Sequence, residues 1–297
     1  MPFQYASVDL EYKNRKELRK EDVHYMQEWL RKQPHLPPLI ELEIIFFLVS
    51  CNYSFEMAKT TIDNYFTLKG MMPEIFGRRD TNTLAATLDR TFLLPLPKLT
   101  SEGYQVMYCK LRDCDLSKFV FGDTVKCCEV VLSLALNQKG SVNGLVYVFD
   151  LEGFSLAHIA QMPLLSVKKL VTFLQEGLPL QLKQFHYINA GSRLDAFMML
   201  IRPFTKQELF KMTHIHTDYL KTLYNFIPRE CMPKEVGGLD ESADVLLERV
   251  KAMVVDNADF IQEQEERVID ESLRPQKSTK FNHLFGVEGT FKKLELD

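Results

Sequence analysis

Apolar and polar positions alternate most legibly between Gly144 and Asn189. The run VYVFDL (146–151) is rich in β-branched and aromatic residues, which predicts a strand. Glu152-Gly153 interrupts it. Pro163 then stands where a helix can begin, and the apolar run that follows is closed by Gly177 and Pro179. LKQFHYI (182–188) predicts a second strand. Two strands joined by a long helical crossover make a parallel, right-handed βαβ unit. The crossover helix is apolar over most of its circumference: Leu164, Leu165, Val167, Leu170, Val171, Phe173 and Leu174 leave only Lys168, Lys169, Gln175 and Glu176 as a wet stripe. A helix packed on a sheet alone needs a narrower stripe. Two readings fit: a helix buried between two layers, or one with an apolar side turned to a cavity.

On either side the pattern predicts further elements. Residues 1–12 read as an irregular arm. Helices are expected over Asn14–Arg31, Ile40–Cys51 and, capped by Ser54, on to about Lys69. Met71 to Glu102 is turn-rich. A strand is expected over 104–113 and a long helix over 117–138. Ser192 and Asp195 suggest a helix start, and Leu194, Phe197, Met198, Leu200 and Ile201 make the helix strongly apolar before Arg202-Pro203 ends or kinks it. MTHIH (212–216) reads as a short strand, Tyr219–Phe226 as a helical turn and Ser242–Asn257 as a helix. From there to Arg274 the chain is charged and expected to face solvent.

The chain has 297 residues and a formal charge of −4, with no basic excess of the kind a bulk nucleic-acid binder carries. The N-terminus lacks the basic and apolar regions of a signal peptide, Pro2 excludes a myristoylation start, and the apolar runs are too short to span a bilayer. A cytoplasmic protein is expected. The six cysteines (Cys51, Cys109, Cys114, Cys127, Cys128, Cys231) form no C-x-x-C pair and read as buried thiols.

Neither phosphate-binding glycine motif nor nucleophile elbow occurs. His214 and His216 would share a strand face and read as a structural pair, with no third ligand at metal spacing. Asp150 and Glu152 in DLEG are explained by turn and capping bonds. His158 and His186 read as hydrogen-bonded structural residues. No enzyme activity, cofactor or metal is expected.

GLVYVFDLEGFSLAH (144–158), PLLSVKKLVTFLQEGLPLQLKQFHYIN (163–189), RPF (202–204) and FIPRECMPKEVGG (226–238) resemble the CRAL-TRIO lipid-binding family, in particular its tocopherol-transfer and retinaldehyde-binding branches. FGVEGTFKKLELD (285–297) is similar to the tails of arthropod members. IIFFLVSC (44–51) departs from a family run that carries two arginines. The resemblance implies an α/β fold: a three-helix N-terminal unit (1–76), a lipid-binding domain (77–240) with a mixed, mostly parallel sheet, an apolar cavity and a helical gate, and a C-terminal helix and tail (241–297). Leu145, Tyr147 and Phe149 share one strand face. The resemblance carries Leu145 and Phe149, with Met162, Leu170, Phe173, Leu174, Phe185, Cys127 and Val131, to cavity-lining positions, and Leu194, Phe197, Met198 and Ile201 to the gate. Without it, residues 190–211 read equally as a plain amphipathic helix.

The implied function is a carrier for a hydrophobic molecule (a tocopherol, retinoid, carotenoid or related lipid), transiently peripheral at membranes. The alternative is a lipid-sensing interaction module using the acidic stretch 262–272. A phosphoinositide groove in one branch maps to Thr60, Gln181, Lys183, Glu208 and Met212, of which only Lys183 is basic. Lys59, Arg202, Lys206 and Lys211 lie nearby in sequence. Docking through the apolar gate is therefore expected to outweigh phosphoinositide contact.

Overall fold

Ser7 opens the first helix. In the computed structural model, which describes residues 3–191, 193–275 and 280–282, its hydroxyl accepts from the Leu10 amide at 3.4 Å. Helix α1 (Val8–Asn14) stands where an irregular arm was expected. A helix this short has too few apolar positions to show a period. It is held instead by Glu11, which accepts from the Ser141 amide at 2.8 Å. Helix α2 (Lys20–Leu30) begins after a turn, later than the expected Asn14. Helices α3 (Glu41–Ser50) and α4 (Phe55–Met71) follow as expected, the latter from Ser54. Val23, Met26, Ile44, Ile45, Leu48, Ala58, Ile62 and Phe66 form the buried core of this unit.

The stretch read as turn-rich holds two short helices and a strand. Helix α5 (Pro73–Phe76) has proline in its first turn, and α6 (Thr81–Leu88) is capped by Asp80, whose carboxylate accepts from the Thr83 amide at 2.9 Å. Strand β1 (Thr91–Pro95) ends in a proline, which suits an edge strand. Gly77 and the prolines punctuate this stretch so densely that no period develops.

The remaining elements are β2 (Tyr104–Leu111), α7 (Phe121–Lys139), β3 (Gly144–Asp150), α8 (Leu156–Ala160), α9 (Leu164–Glu176), β4 (Leu182–Ile188), α10 (Arg193–Ile201), α11 (Gln207–Lys211), β5 (Thr213–His216), α12 (Tyr219–Thr222), α13 (Ala243–Asp256) and α14 (Ala258–Glu266). The five strands form one sheet in sequence order, with β1 antiparallel to β2 and the other pairs parallel. The fold is α/β with a mostly parallel sheet. Between β3 and α8, Gly153 takes φ +77°, where an added Cβ would meet the Cys114 sulfur. That close approach is why the DLEG turn carries glycine.

The charged stretch after residue 257 exposes most of its charges as expected, but it is anchored by long-range contacts. Helix α14 buries Phe260, Ile261 and Gln264, and Phe260 stacks on Phe3 at 4.0 Å. Arg267 pairs with Glu43 at 2.8 Å and Arg274 with Asp63 at 2.7 Å. The apolar pair that anchors α14 is outnumbered locally by charge, so its long-range contacts leave no local signal. All six cysteines are free; Cys114 is exposed and Cys128 half-buried, against the expectation of buried thiols throughout. Ser192 and the tail 285–297 lie outside the described residues. Among the described residues no helix is long and apolar enough to cross a membrane.

Candidate ligand cavity

Strand alternation turns Cys109 of β2, Tyr147 and Phe149 of β3, and Phe185 and Tyr187 of β4 to one side of the sheet. Their rings form a continuous wall. Tyr147 stacks on Phe185 at 5.7 Å and on Phe149 at 5.4 Å, and Phe149 on Tyr187 at 5.3 Å. Helix α9 stands across from this wall, and the space between them is a cavity of about 260 Å³. Val125, Cys128 and Leu132 of α7 and Ile75 and Phe76 of α5 close one side; Phe197 and Ile201 of α10 and Leu209 and Phe210 of α11 cover another.

Helix α9 explains its own composition. Val167, Leu170, Val171, Phe173 and Leu174 face the cavity. Its far end is held to α4, where Asn64 donates to the Glu176 carbonyl at 3.0 Å. Leu164 and Leu165 remain 56% and 48% exposed. The helix is therefore not sandwiched between two filled layers.

Of the residues singled out in the sequence, Tyr147, Phe149, Met162, Leu170, Phe173, Leu174, Phe185, Phe197 and Ile201 come together on the cavity. Others stand away from it. Cys127 and Val131 are fully buried on another side of α7, and their successors Cys128 and Leu132 face the cavity instead. One residue along a helix turns the side chain by about 100°. Leu145 is buried at the start of β3, where the pairing with β4 shifts register. Leu194 packs into the main core, and Met198 lies half-buried against it. The sequence reading missed Phe119, Phe121 and Phe154, isolated aromatics in turns and at a helix start, where no periodicity points to a partner.

The polar groups near the cavity are engaged. Asp150 accepts from the Tyr108 hydroxyl at 3.0 Å, the Asn189 side chain at 2.8 Å and the Glu152 amide at 3.0 Å, and it faces Lys110 at 3.2 Å. This is the turn role expected of DLEG. A hydrogen bond with Cys128, then burial, pushes the Cys109 thiol well up; burial does the same to the Tyr147 phenol. Both remain neutral, which suits an apolar occupant and not a nucleophile.

His214 and His216 share a face as expected, but on the side of the sheet away from the cavity. His186 of β4 joins them: its Nδ1 is 2.9 Å from His216 Nε2 and its Nε2 is 3.0 Å from Gln184 Oε1. Burial, then the neighbouring His214 and His216, depress His186 to about 3. His158 Nδ1 lies 2.7 Å from the Ser155 hydroxyl at the start of α8. Among the described residues no three His, Cys, Asp or Glu side chains are placed to hold a metal ion.

The basic residues divide by location. Arg202 and Lys211 are exposed on the covering segment, together with Lys206, which pairs with Glu176. Lys59 is on α4, with Tyr25 at 3.0 Å and Glu56 at 2.8 Å. Lys183 donates to Gln181 at 2.6 Å. Met199 of α10 is 75% exposed, and α8 and α9, which pack on α10, expose Leu156, Leu164 and Leu165.

Residues 89–238 match the CRAL/TRIO domain and residues 15–85 the Pinta-like UBA domain. The chain is 25% identical over 256 residues to an alpha-tocopherol transfer protein-like protein of Mus musculus, covering 85% of this chain and 74% of that one. It is 24% identical over 147 residues to Clavesin-2 of Homo sapiens, covering 48% and 44%. Sfh5, a solved structure, aligns with a TM-score of 0.44 at 14% identity over 87% of this chain and 89% of that one. The CRAL/TRIO match takes in the whole sheet, α7, α9 and the covering helices, and the chain belongs to the CRAL/TRIO domain family.

Proposed function

We propose that this protein is a carrier that encloses one hydrophobic molecule (a tocopherol, retinoid, carotenoid or related lipid) and passes it between membranes. The observation that carries this reading is the cavity between the aromatic wall of the sheet and α9, whose lining surface is almost wholly apolar. Each CH₂ removed from water contributes about 0.8 kcal/mol, so a long chain binds tightly with few polar contacts. Members of the family bind and transfer lipophilic ligands, and the name of the mouse relative refers to tocopherol transfer. In this reading the chain divides into a helical unit (1–76), the lipid-binding domain (77–240) and a C-terminal helix and tail (241–297).

Helices α10 and α11 act as the gate. Phe197 and Ile201 reach inward while Met199 faces out. Opening at a membrane would trade the inner contacts for lipid, and the exposed Leu156, Leu164, Leu165 and Met199 supply an apolar docking face. Arg202, Lys206 and Lys211 flank it, and each cation near an anionic surface contributes about 1 kcal/mol. The interaction-module alternative keeps an acidic face, since Glu263, Glu266, Asp270 and Glu271 are exposed, although α14 itself is packed through Gln264 and Arg267 is engaged with Glu43.

Native mass spectrometry with organic extraction, followed by transfer between donor and acceptor liposomes, tests the reading. A stoichiometric isoprenoid or polyene, and transfer slowed severalfold by Phe197→Ala with Met198→Ala, are expected. Transfer unchanged by the double variant removes the gate. A protein that retains no lipid from a panel removes the carrier. A strong, saturable phosphoinositide dependence replaces the apolar docking mode with a headgroup one.

A further inference from the structure

Behind the main cavity lies a second, smaller chamber of about 70 Å³. It sits among α3, α4, α7, the α9–β4 connection and α14. The two chambers adjoin at Glu129, Leu132, Phe173 and Leu178, whose side chains line both. They differ in chemistry, because the inner chamber is distinctly more polar. Asn137 and Gln264 line it and are only 6% and 8% exposed. Asn137 donates to the Ser133 carbonyl at 3.0 Å, and Gln264 Oε1 accepts from Arg267 at 3.3 Å. The other end of each amide is left over: Asn137 Oδ1 and Gln264 Nε2 have no hydrogen-bond partner among the described residues. One is an acceptor and the other a donor. A buried polar atom without a partner costs about 1–3 kcal/mol, so two such atoms on one small chamber point to an occupant that satisfies both.

The ions around the chamber are balanced. Glu43 pairs with Arg267 at 2.8 Å, and Glu129 stands 2.6 Å from Arg79. Lys69, which donates to the Gln264 carbonyl, is lowered to about 7, by burial first and then by the charge of Arg79. An added net charge would be costly here. We propose that this chamber is the subsite for the uncharged polar end of the cargo, a hydroxyl or amide that both donates and accepts. The apolar body would fill the main cavity, so the head points toward the N-terminal helices and away from the gate. The inference rests on the carrier reading and narrows it: the cargo is an amphiphile with one small neutral head, and neither a pure hydrocarbon nor an anionic lipid.

Matched pairs of ligands test it. Retinol, hexadecanol and cholesterol would each be compared with its methyl ether by equilibrium binding to the full chain. At least one free alcohol is expected to bind tenfold or more tightly than its ether, about 1.4 kcal/mol. In the Asn137→Leu/Gln264→Leu double variant that ratio should fall towards one while ether binding holds. The variant removes unpaired polar atoms and so should fold; its thermal melt is the control. Equal binding of every alcohol and ether, with lipid still retained, overturns the subsite and leaves the carrier standing. A preference that survives in the double variant also overturns it, since the head must then sit elsewhere. Failure of all six compounds to bind, with another lipid of the panel retained, overturns the subsite; only a protein that retains no lipid at all removes the carrier as well.

Discussion

The two faces of the central sheet both bury apolar side chains and are met in opposite ways. On one, Val106, Tyr108, Val146, Val148 and Ile188 are essentially without exposure and belong to one cluster with Leu223, Ile227 and Met232. On the other, Tyr147, Phe149, Phe185 and Tyr187 stand over a cavity. On the packed face Val106, Val146, Val148 and Ile188 are β-branched and lose all exposure under their cover, beside the cluster of His186, His214 and His216. The open face is a row of rings within 20° of parallel, a smooth wall that a facing helix cannot fill. The lesson is that a hydrophobic pattern marks which positions leave water, and side-chain shape governs whether the space they enter is filled.

Cavity-making substitutions should separate the faces most sharply. Ile188→Ala should cost about 2–5 kcal/mol in urea unfolding, the range for a large-to-small change in a filled core. Leu170→Ala, beside space that is already open, should cost only about 1 kcal/mol. Equal costs would break the comparison. The reverse change sharpens it: Leu170→Trp should leave stability within about 1 kcal/mol and abolish lipid retention, measured by extraction of the purified protein.

A further effect concerns pH and comes from the packed face. His186 is depressed to about 3 in the folded chain, below the ordinary histidine value near 6.5. The unfolded chain therefore takes up a proton that the folded one refuses, and stability falls as pH drops from about 6.5 towards 3. His186→Gln should flatten that part of the urea-midpoint profile between pH 7 and 4.5. An unaltered profile would mean that other groups set the acid limit.

How far the sequence reveals this arrangement follows from the same physics. Strands β3 and β4 are legible as strands from their β-branched and aromatic runs; a period of two puts Tyr147 and Phe149 on one face, and the family resemblance, which supplies the cavity side, brings Phe185 to it as well. Helix α7 was legible as a helix but not in phase. Val130, Val131, Leu132, Leu134, Ala135 and Leu136 are all buried, so nothing local tells the stripe that packs from the stripe that faces open space. The family resemblance points to Cys127 and Val131, where Cys128 and Leu132 face the cavity instead. Strand β1 and helices α5 and α6 were too short and too punctuated to show a period. Helix α14 was hidden by its charge, because Phe260 and Ile261 find their partners far away in sequence.

That distance has a consequence for how the protein is made. Glu43 and Arg267 are 224 residues apart. A ribosome adding about 5–20 residues per second needs roughly ten to forty-five seconds to supply the second after the first. The N-terminal helices can bury Ile44, Ile45, Leu48 and Phe66 among themselves as soon as they emerge. Their Glu43 and Asp63 side stays wet until Arg267 and Arg274 arrive. The inner chamber, walled partly by α14, is therefore completed late in synthesis, after the elements that wall the outer cavity have emerged.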